Sequence, residues 1–368
     1  MRHHQRRHRA SRAADPRLRG ASQRPERLVT RSLVDDFAVR LPKAELHLHI
    51  EGTLEPELML ALAERNRIAP PYGSIEAARA AYDFQDLQSF LDLYYRATSV
   101  LRTEADFADL ADRYFQKAAA QGVVHAEIFF DPQAHTRRGI AFETVLEGLW
   151  SAAATSEERY GISSGLILCF LRDLGAEAAM QTLDQARPYR ERILGVGLDS
   201  AERGHPPSAF AGVFREAKNL GWHRVAHAGE EGPPAYVWEA LDVLSAERID
   251  HGVRSLEDPR LVERLAHERI PLTVCPFSNV RLRVVARLED HPLKEMLDAG
   301  LCATCNSDDP AYFGGYVADN LRAASAALDL SPNDLTRLAR NSFEAAFVPA
   351  AQKSEYLARV DAAAAVAR

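Results

Sequence analysis

From about residue 33 onward, short apolar runs alternate with longer segments in which apolar residues recur at helical spacing. This alternation is typical of repeated βα units. Helix start signals support the pattern, because Thr103 is followed by Asp106 and Ser331 by Asp334, as at N-terminal caps. Eight apolar runs can be counted: Ala44–His49, Val123–Phe129, Gly165–Leu171, Ile193–Leu198, His223–His227, Arg248–His251, Pro271–Cys275 and Leu301–Asn306.

Eight strands that alternate with helices predict an α/β fold, the (β/α)8 TIM barrel. One connection is longer than the others, since about 70 residues separate the first two runs. Its helical patterns at Leu54–Asn66 and Leu87–Val100 predict extra helices inserted after strand 1, which could form a lid over the mouth of the barrel. Helical segments also follow the last run, so we expect further helices at the C-terminus.

Side chains that can do chemistry lie where the predicted strands end. Barrel enzymes build their sites at the carboxyl ends of the strands, around the whole ring. A doubly wound sheet would place its ligand only at one switch point, so this distribution favours the barrel. The residues are His47 and His49 at the end of run one, Asp199 after run four, His227 at the end of run five, His251 at the end of run six, and Asp308 and Asp309 after run eight.

Charge is spread unevenly along the 368 residues. The net charge is −7, but residues 1–31 carry ten Arg against two acidic residues, so the rest of the chain has a net charge of −15. We therefore predict a disordered Arg-rich extension over residues 1–32 and a single domain over residues 33–368. The acidic remainder of the chain would bind the phosphate backbone of a nucleic acid poorly, so we expect no nucleic-acid partner. The Arg-rich extension alone could bind polyanions.

Several classes of protein are disfavoured by composition. The chain is 46% apolar but contains no run of 18 apolar residues, so we expect no membrane span. Its four cysteines are too few for a disulfide framework, and no apolar region follows Arg6-Arg7 as it would in an export signal. These features predict a cytoplasmic protein and leave its oligomeric state open.

Two histidines close the first run. Side chains two apart on a strand share a face, so His47 and His49 are expected to point together into the barrel. Neutral imidazole is a common metal ligand, and zinc takes about four N, O or S donors. An HxH pair alone is weak evidence, because one packed and one solvated histidine is the ordinary alternative. Gly52 would let the chain turn sharply beside the pair.

The segment 227–230, His-Ala-Gly-Glu, offers a third imidazole and a carboxyl group just past a strand end. Glu230 is placed to project into the barrel mouth as a general acid or base. The next residue, Glu231, is interpreted as a solvated loop carboxylate. Asp250 could orient an imidazole or be an ordinary strand-end residue beside His251.

Adjacent carboxylates, Asp308 and Asp309, follow the last run. Because they repel each other, keeping both ionised requires a nearby cation or hydrogen bonds that separate their roles. A metal would satisfy Asp308 and a substrate N–H would satisfy Asp309, although Asp-Asp-Pro turns are common without either. Three histidines and one aspartate at strand ends together predict a metal site.

These segments together resemble the adenosine/adenine deaminase family of the amidohydrolase superfamily, from about residue 41 to residue 347. The resemblance implies one zinc ion per chain. It further implies Glu230 as proton donor to purine N1, His251 beside the attacking water and Asp309 bonded to N7. The implied zinc ligands are His47, His49, His227 and Asp308. Two-metal members of the superfamily use a carboxylated lysine on strand four, and its absence from Ile193–Ser200 favours a single metal.

The resemblance is closest to adenine deaminases, on the segments Tyr82–Phe90, Phe130–Gln133, Gly197–Ser200 and Asp308–Gly315. Nucleoside enzymes of the family carry an Asp-Leu-Ala-Gly-like stretch where this chain has Asp199-Ser200-Ala201-Glu202. We therefore expect zinc-dependent deamination of free adenine to hypoxanthine and ammonia in purine salvage, with Ser200 or Glu202 at the N3/N9 edge. Adenosine and N6-substituted adenines are the alternative substrates.

Two alternatives of other classes stay open. The first is a zinc hydrolase that acts on an amide or a phosphoester. The second is a catalytically idle protein that binds nucleic acid through its basic extension. A zinc-loaded protein that releases no ammonia from any aminopurine would favour the first. Loss of ligand binding on deletion of residues 1–32 would favour the second, since an enzyme should keep its turnover.

Overall fold

The computed structural model describes residues 36–366. The Arg-rich extension expected over residues 1–32 lies outside the described residues, so its disorder and the domain boundary at residue 33 stay predictions. Among the described residues, no helix is long and apolar enough to cross a membrane.

Within residues 36–366, eight parallel strands form one sheet in the order β1 to β8, with each strand beside its neighbour in sequence. This order confirms the (β/α)8 barrel. The strands are β1 (Lys43–Glu45), β2 (Val123–Phe130), β3 (Ser163–Leu171), β4 (Gly195–Asp199), β5 (His223–Ala228), β6 (Arg248–His251), β7 (Pro271–Val274) and β8 (Cys302–Cys305).

The barrel closes between the ends of β8 and β1 through main-chain hydrogen bonds beyond the regular strands. The N–H of His49 donates to the carbonyl of Asp308 at 3.1 Å, and the N–H of Asp308 donates to the carbonyl of His47 at 3.0 Å. A further bridge joins His49 to Phe129 at the end of β2. The closure therefore brings together three residues with metal-binding side chains.

The prediction that His47 and His49 lie within a regular strand is wrong in detail, because β1 ends at Glu45. At Leu46 the main-chain N–H donates to the side-chain oxygen of Asn306 at 3.0 Å instead of to a neighbouring strand. Beyond Leu46, single β-bridges join Leu48 to Asp308 and His49 to Phe129. The imidazole rings of His47 and His49 lie 5.6 Å apart. A side chain has taken the place of a main-chain partner, which no apolar pattern reveals.

Helices surround the barrel and also form the two predicted additions, before β2 and at the C-terminus. Thr103 and Ser331 cap their helices through capping boxes, as expected from the sequence. Residues 36–40 form α1. The others are α2 (Pro56–Arg65), α3 (Ile75–Ala80), α4 (Leu87–Ala97), α5 (Glu104–Ala120), α6 (Pro132–Thr136), α7 (Phe142–Ala153), α8 (Ser156–Tyr160), α9 (Gly175–Ala186), α10 (Ala211–Asn219), α11 (Pro234–Asp242), α12 (Pro259–Glu268), α13 (Pro276–Arg281), α14 (Leu293–Asp298), α15 (Pro310–Phe313), α16 (Val317–Leu328), α17 (Pro332–Ala345) and α18 (Ala350–Val366).

A buried ion pair lies inside the barrel at the end away from the carboxyl termini of the strands. Arg248, the first residue of β6, donates to Glu127 of β2 at 2.6 Å, and neither side chain is exposed. Although burial raises the pKa of Glu127, the charge of Arg248 lowers it to about 2. Arg248 also donates to the carbonyl of Leu46 at 3.2 Å, so it ties β6 to the chain that leads into the histidine pair.

We predict that Arg248→Met destabilises the fold by about 3–5 kcal/mol, because it leaves the Glu127 carboxylate buried without its cation. Urea unfolding followed by circular dichroism measures the change. Arg287→Met is the matched control, since its ion pair with Asp290 is exposed and contributes at most about 1 kcal/mol. Equal stabilities of the two variants would contradict a structural role for the buried pair.

Candidate active site

A cavity with about 400 Å³ of empty space opens at the carboxyl ends of the strands. Its roof is α4, which places Leu87, Phe90, Leu91, Tyr94 and Tyr95 over the barrel mouth. Of the two segments expected to form a lid, only the second lines the cavity. The helix starts sharply because its first turn is capped reciprocally by residues 86 and 89.

Four donor atoms face one another at the floor of this cavity. The Nε2 atoms of His49 and His227 lie 3.3 Å apart. Oδ1 of Asp308 lies 3.4 Å from Nε2 of His47 and 3.5 Å from Nε2 of His49. Donors bound at about 2.0–2.1 Å to one tetrahedral ion lie about 3.3–3.4 Å apart. These three separations therefore fit those between the ligands of a single ion.

The other ring nitrogen of each histidine lies 3.0–3.5 Å from a residue outside the cluster. Nδ1 of His47 lies 3.0 Å from the hydroxyl of Thr273, which donates to Asp250 at 2.9 Å. Nδ1 of His227 lies 3.4 Å from Asp250, and Nδ1 of His49 lies 3.5 Å from Asp199. Such partners fix ring orientation and tautomer in metal sites. Of the two interpretations of Asp250, the structure favours the orienting one.

His251 lies beside this cluster and offers an alternative fourth ligand. A group of four buried residues within ligand distance includes it in place of His49. However, Nε2 of His251 approaches Glu230 at 3.6 Å and reaches Asp308 through the other carboxylate oxygen, Oδ2, at 3.7 Å. We favour His49 as the ligand, because its Nε2 lies within 3.5 Å of both His227 and Oδ1 of Asp308.

Three residues at the cavity have positive φ angles although none is glycine: Ser200 at 69°, His251 at 62° and Asp308 at 62°. Such angles are uncommon for residues with a side chain, and they concentrate at functional sites. All three follow or end strands, where the chain must turn away while the side chain stays over the barrel. The strain therefore marks the residues whose side chains are held over the cavity.

Glu230 is buried, and its Oε1 has no hydrogen-bond partner. Burial, followed by the charge of Asp308, raises the pKa of Glu230 well above its usual range. A carboxyl group of this kind is protonated at neutral pH and can donate a proton. The structure therefore agrees with the expected position of Glu230 in the barrel mouth.

The loop that carries Glu230 is fixed by a second carboxylate. Glu202 accepts four main-chain N–H groups, those of residues 229, 230, 231 and 232, at 2.7–3.1 Å. Its carboxylate is therefore committed to the loop and does not line the cavity. Of the two residues expected at the N3/N9 edge, only Ser200 lines the cavity, with its hydroxyl 3.3 Å from that of Tyr95.

Asp309 also lines the cavity, and its Oδ1 has no hydrogen-bond partner. Burial and the charge of Asp308 raise the pKa of Asp309 well above its usual range. Gly52 is required opposite it, because a Cβ at this position would come within 2.0 Å of Oδ1. The glycine thus allows the first loop to pass close to the carboxyl group.

The sequence interpretation missed a buried polar network beside the metal cluster. Asp131 lines the cavity and follows β2 directly, which is the same signal that singled out the other residues. Its main-chain N–H donates to Glu51 at 3.2 Å, and Glu51 also contacts His135 at 2.9 Å. His135 is fully buried and lies in α6.

Comparison with known proteins supports the resemblance stated from the sequence. The family model described as "Adenosine deaminase" matches residues 42–363. An adenine deaminase of Streptomyces coelicolor is 64% identical over 329 residues, which are 89% of this chain and 97% of the relative.

Solved structures agree with this result. The crystal structure of an adenine deaminase from Arthrobacter aurescens matches with a TM-score of 0.87 and 55% identity, covering 88% of this chain and 98% of that one. An amidohydrolase from Burkholderia ambifaria, solved with bound zinc, matches with a TM-score of 0.83 and 26% identity, covering 91% and 95%. The chain therefore belongs to the adenosine deaminase family of the amidohydrolase superfamily.

Proposed function

We propose that this protein is a zinc-dependent hydrolase that converts adenine and water to hypoxanthine and ammonia, as a cytoplasmic step of purine salvage. One arrangement carries the proposal: three histidines and Asp308, with three donor separations of 3.3–3.5 Å, lie beside a buried carboxyl group, Glu230, at the same cavity. The choice of adenine is supported by the 64% identical relative, which is an adenine deaminase.

His47, His49, His227 and Asp308 would hold the zinc ion, one per chain. Imidazole and carboxylate donors suit zinc, and the zinc-bound relative from Burkholderia ambifaria shares the fold. Zinc in such a site supplies a water molecule with a pKa near 7, and so a nucleophile at neutral pH. The remaining steps depend on residues of the chain.

Glu230 donates its proton to N1 of the purine. Protonation at N1 draws electron density from C6, which becomes more reactive towards a nucleophile. Burial lowers the pKa of His251 well below its usual value, so the imidazole is neutral and Nε2 is free to accept a proton from the attacking water. The 3.6 Å separation of His251 and Glu230 supports a role for both groups at one carbon.

Asp309 binds N7 on the other side of C6. Its protonated carboxyl can donate a hydrogen bond to the N7 lone pair, since its Oδ1 has no partner in the protein. With N1 held by Glu230 and N7 by Asp309, the exocyclic amino group is directed to the floor of the cavity. Ammonia then leaves from C6, and hypoxanthine remains.

The substrate is tested by the ultraviolet change and the ammonia release when the zinc-loaded full chain is mixed with adenine, adenosine or N6-methyladenine. We expect the highest kcat/KM on adenine. Higher kcat/KM on adenosine would overturn the choice of substrate, and a zinc-loaded protein inactive on all aminopurines would overturn deamination itself.

Replacement of the proton donor separates chemistry from folding. We predict that Glu230→Gln lowers kcat on adenine by about 100- to 10,000-fold, because it removes general-acid catalysis, while the zinc content stays unchanged. Glu231→Gln is the matched control, since this adjacent side chain contacts the exposed Arg203 at 3.5 Å and should keep full turnover. Full activity of Glu230→Gln would refute the proton-donor role.

Metal content distinguishes the two possible ligand sets. We predict that His49→Ala loses most of its zinc, measured by elemental analysis after dialysis, because it removes one of four ligands. His251→Ala should keep about one zinc per chain but lose most of its turnover, because it removes the proton acceptor. The opposite result, zinc lost from His251→Ala and kept by His49→Ala, would show that His251 is the ligand.

A further inference from the structure

One buried carboxylate at the cavity is not used by the mechanism above. Asp131 is 2% exposed, lines the cavity, and its Oδ1 has no hydrogen-bond partner. The other oxygen, Oδ2, accepts the hydroxyl proton of Tyr94 in α4 at 3.2 Å. A buried carboxyl oxygen without a donor is costly, and Asp131 lines the cavity, where a ligand can donate to it.

The strand order shows which edge of a purine would meet this carboxylate. Around the mouth, Asp309 follows β8, Asp131 follows β2, Ser200 follows β4 and Glu230 follows β5. Around a purine, the nitrogens follow in the order N7, N9, N3 and N1. If Asp309 faces N7 and Glu230 faces N1, as proposed above, the same circular order places N9 towards Asp131 and N3 towards Ser200.

The chemistry of N9 fits this position. In the free base N9 carries a hydrogen, so it donates, whereas Asp131 offers an accepting oxygen. In a nucleoside N9 carries ribose, so no donor remains and the sugar must occupy the space beside the carboxylate. A site built to accept a substrate N–H strongly rejects an analogue that lacks it, because the buried partner is left unpaired.

The surroundings hold Asp131 in place for this task. Its main-chain N–H is fixed by Glu51 at 3.2 Å, and Tyr94 fixes Oδ2 from the roof. The neighbouring Tyr95 closes the same side of the cavity against Ser200. Main chain and side chain are thus both anchored. The carboxyl group of Asp199 also shares a side-chain hydrogen bond with that of Asp131. Burial raises the pKa of Asp131 to about 7, and a carboxyl group offers an accepting oxygen whether or not it is protonated.

The geometry points to Asp131 as the residue that selects the free purine base, by accepting the N9–H hydrogen bond. This inference rests on the proposed deamination of adenine. It assigns a substrate contact to Asp131, and it predicts that nucleosides are rejected because they lack the N9–H donor and place a sugar beside the carboxyl group.

The test compares kcat/KM for adenine and 9-methyladenine, which differ only at N9, in the full-length zinc-loaded protein. 9-Methyladenine is measured as a competitive inhibitor if its turnover is too slow. We expect the wild type to favour adenine strongly. Asp131→Asn should lower kcat/KM for adenine about 10- to 100-fold, because an amide N–H replaces the accepting oxygen. The kcat/KM or inhibition constant for 9-methyladenine should change less than about threefold.

Asp173→Asn is the matched control, because this exposed aspartate follows β3 without lining the cavity, and its adenine preference should equal that of the wild type. Asp131→Ser replaces the asparagine variant if the latter fails to fold or to bind zinc. If the wild type deaminates adenine but the Asp131 variant keeps the wild-type ratio of the constants for adenine and 9-methyladenine, this inference alone is overturned. A wild type that does not act on adenine overturns the proposed function instead.

Discussion

The closure of the barrel between β8 and β1 is the constraint on which the site depends. Two main-chain hydrogen bonds, from His49 to Asp308 and from Asp308 to His47, complete the ring of strands. The same bonds bring Oδ1 of Asp308 within about 3.5 Å of both His47 and His49. Fold and site are therefore coupled: a chain that closes this barrel also assembles most of the metal cluster.

Burial divides the carboxyl groups of the cavity into different roles. Although burial raises the pKa of Asp308, the neighbouring histidines, His47 above all, lower it well below its usual range, so this residue stays ionised as a ligand. Burial raises the pKa of Glu230 and of Asp309, which favours their protonated forms, as the proposed contacts with N1 and N7 require. The carboxyl group in two environments can thus supply both an anionic ligand and neutral donors. The apolar side chains that α4 places over the cavity contribute to this burial.

The sequence predicted the barrel, its inserted helices and the residues that surround the cavity, because strand ends and short motifs are local features. It could not show that β1 ends at Glu45, since the partner that replaces the strand ladder, Asn306, is 260 residues away. Nor could it show that Glu202 is committed to four main-chain N–H groups of a distant loop. Asp131 was missed although it follows a strand, because its significance appears only when its unpartnered oxygen is seen.

The central claim is that one ion is held by His47, His49, His227 and Asp308. A crystal structure with anomalous diffraction recorded on both sides of the zinc absorption edge tests it most directly. The account predicts one strong anomalous peak, about 2.0–2.2 Å from the four donor atoms. No peak at this place in zinc-containing crystals, or a peak ligated by His251 in place of His49, would contradict it.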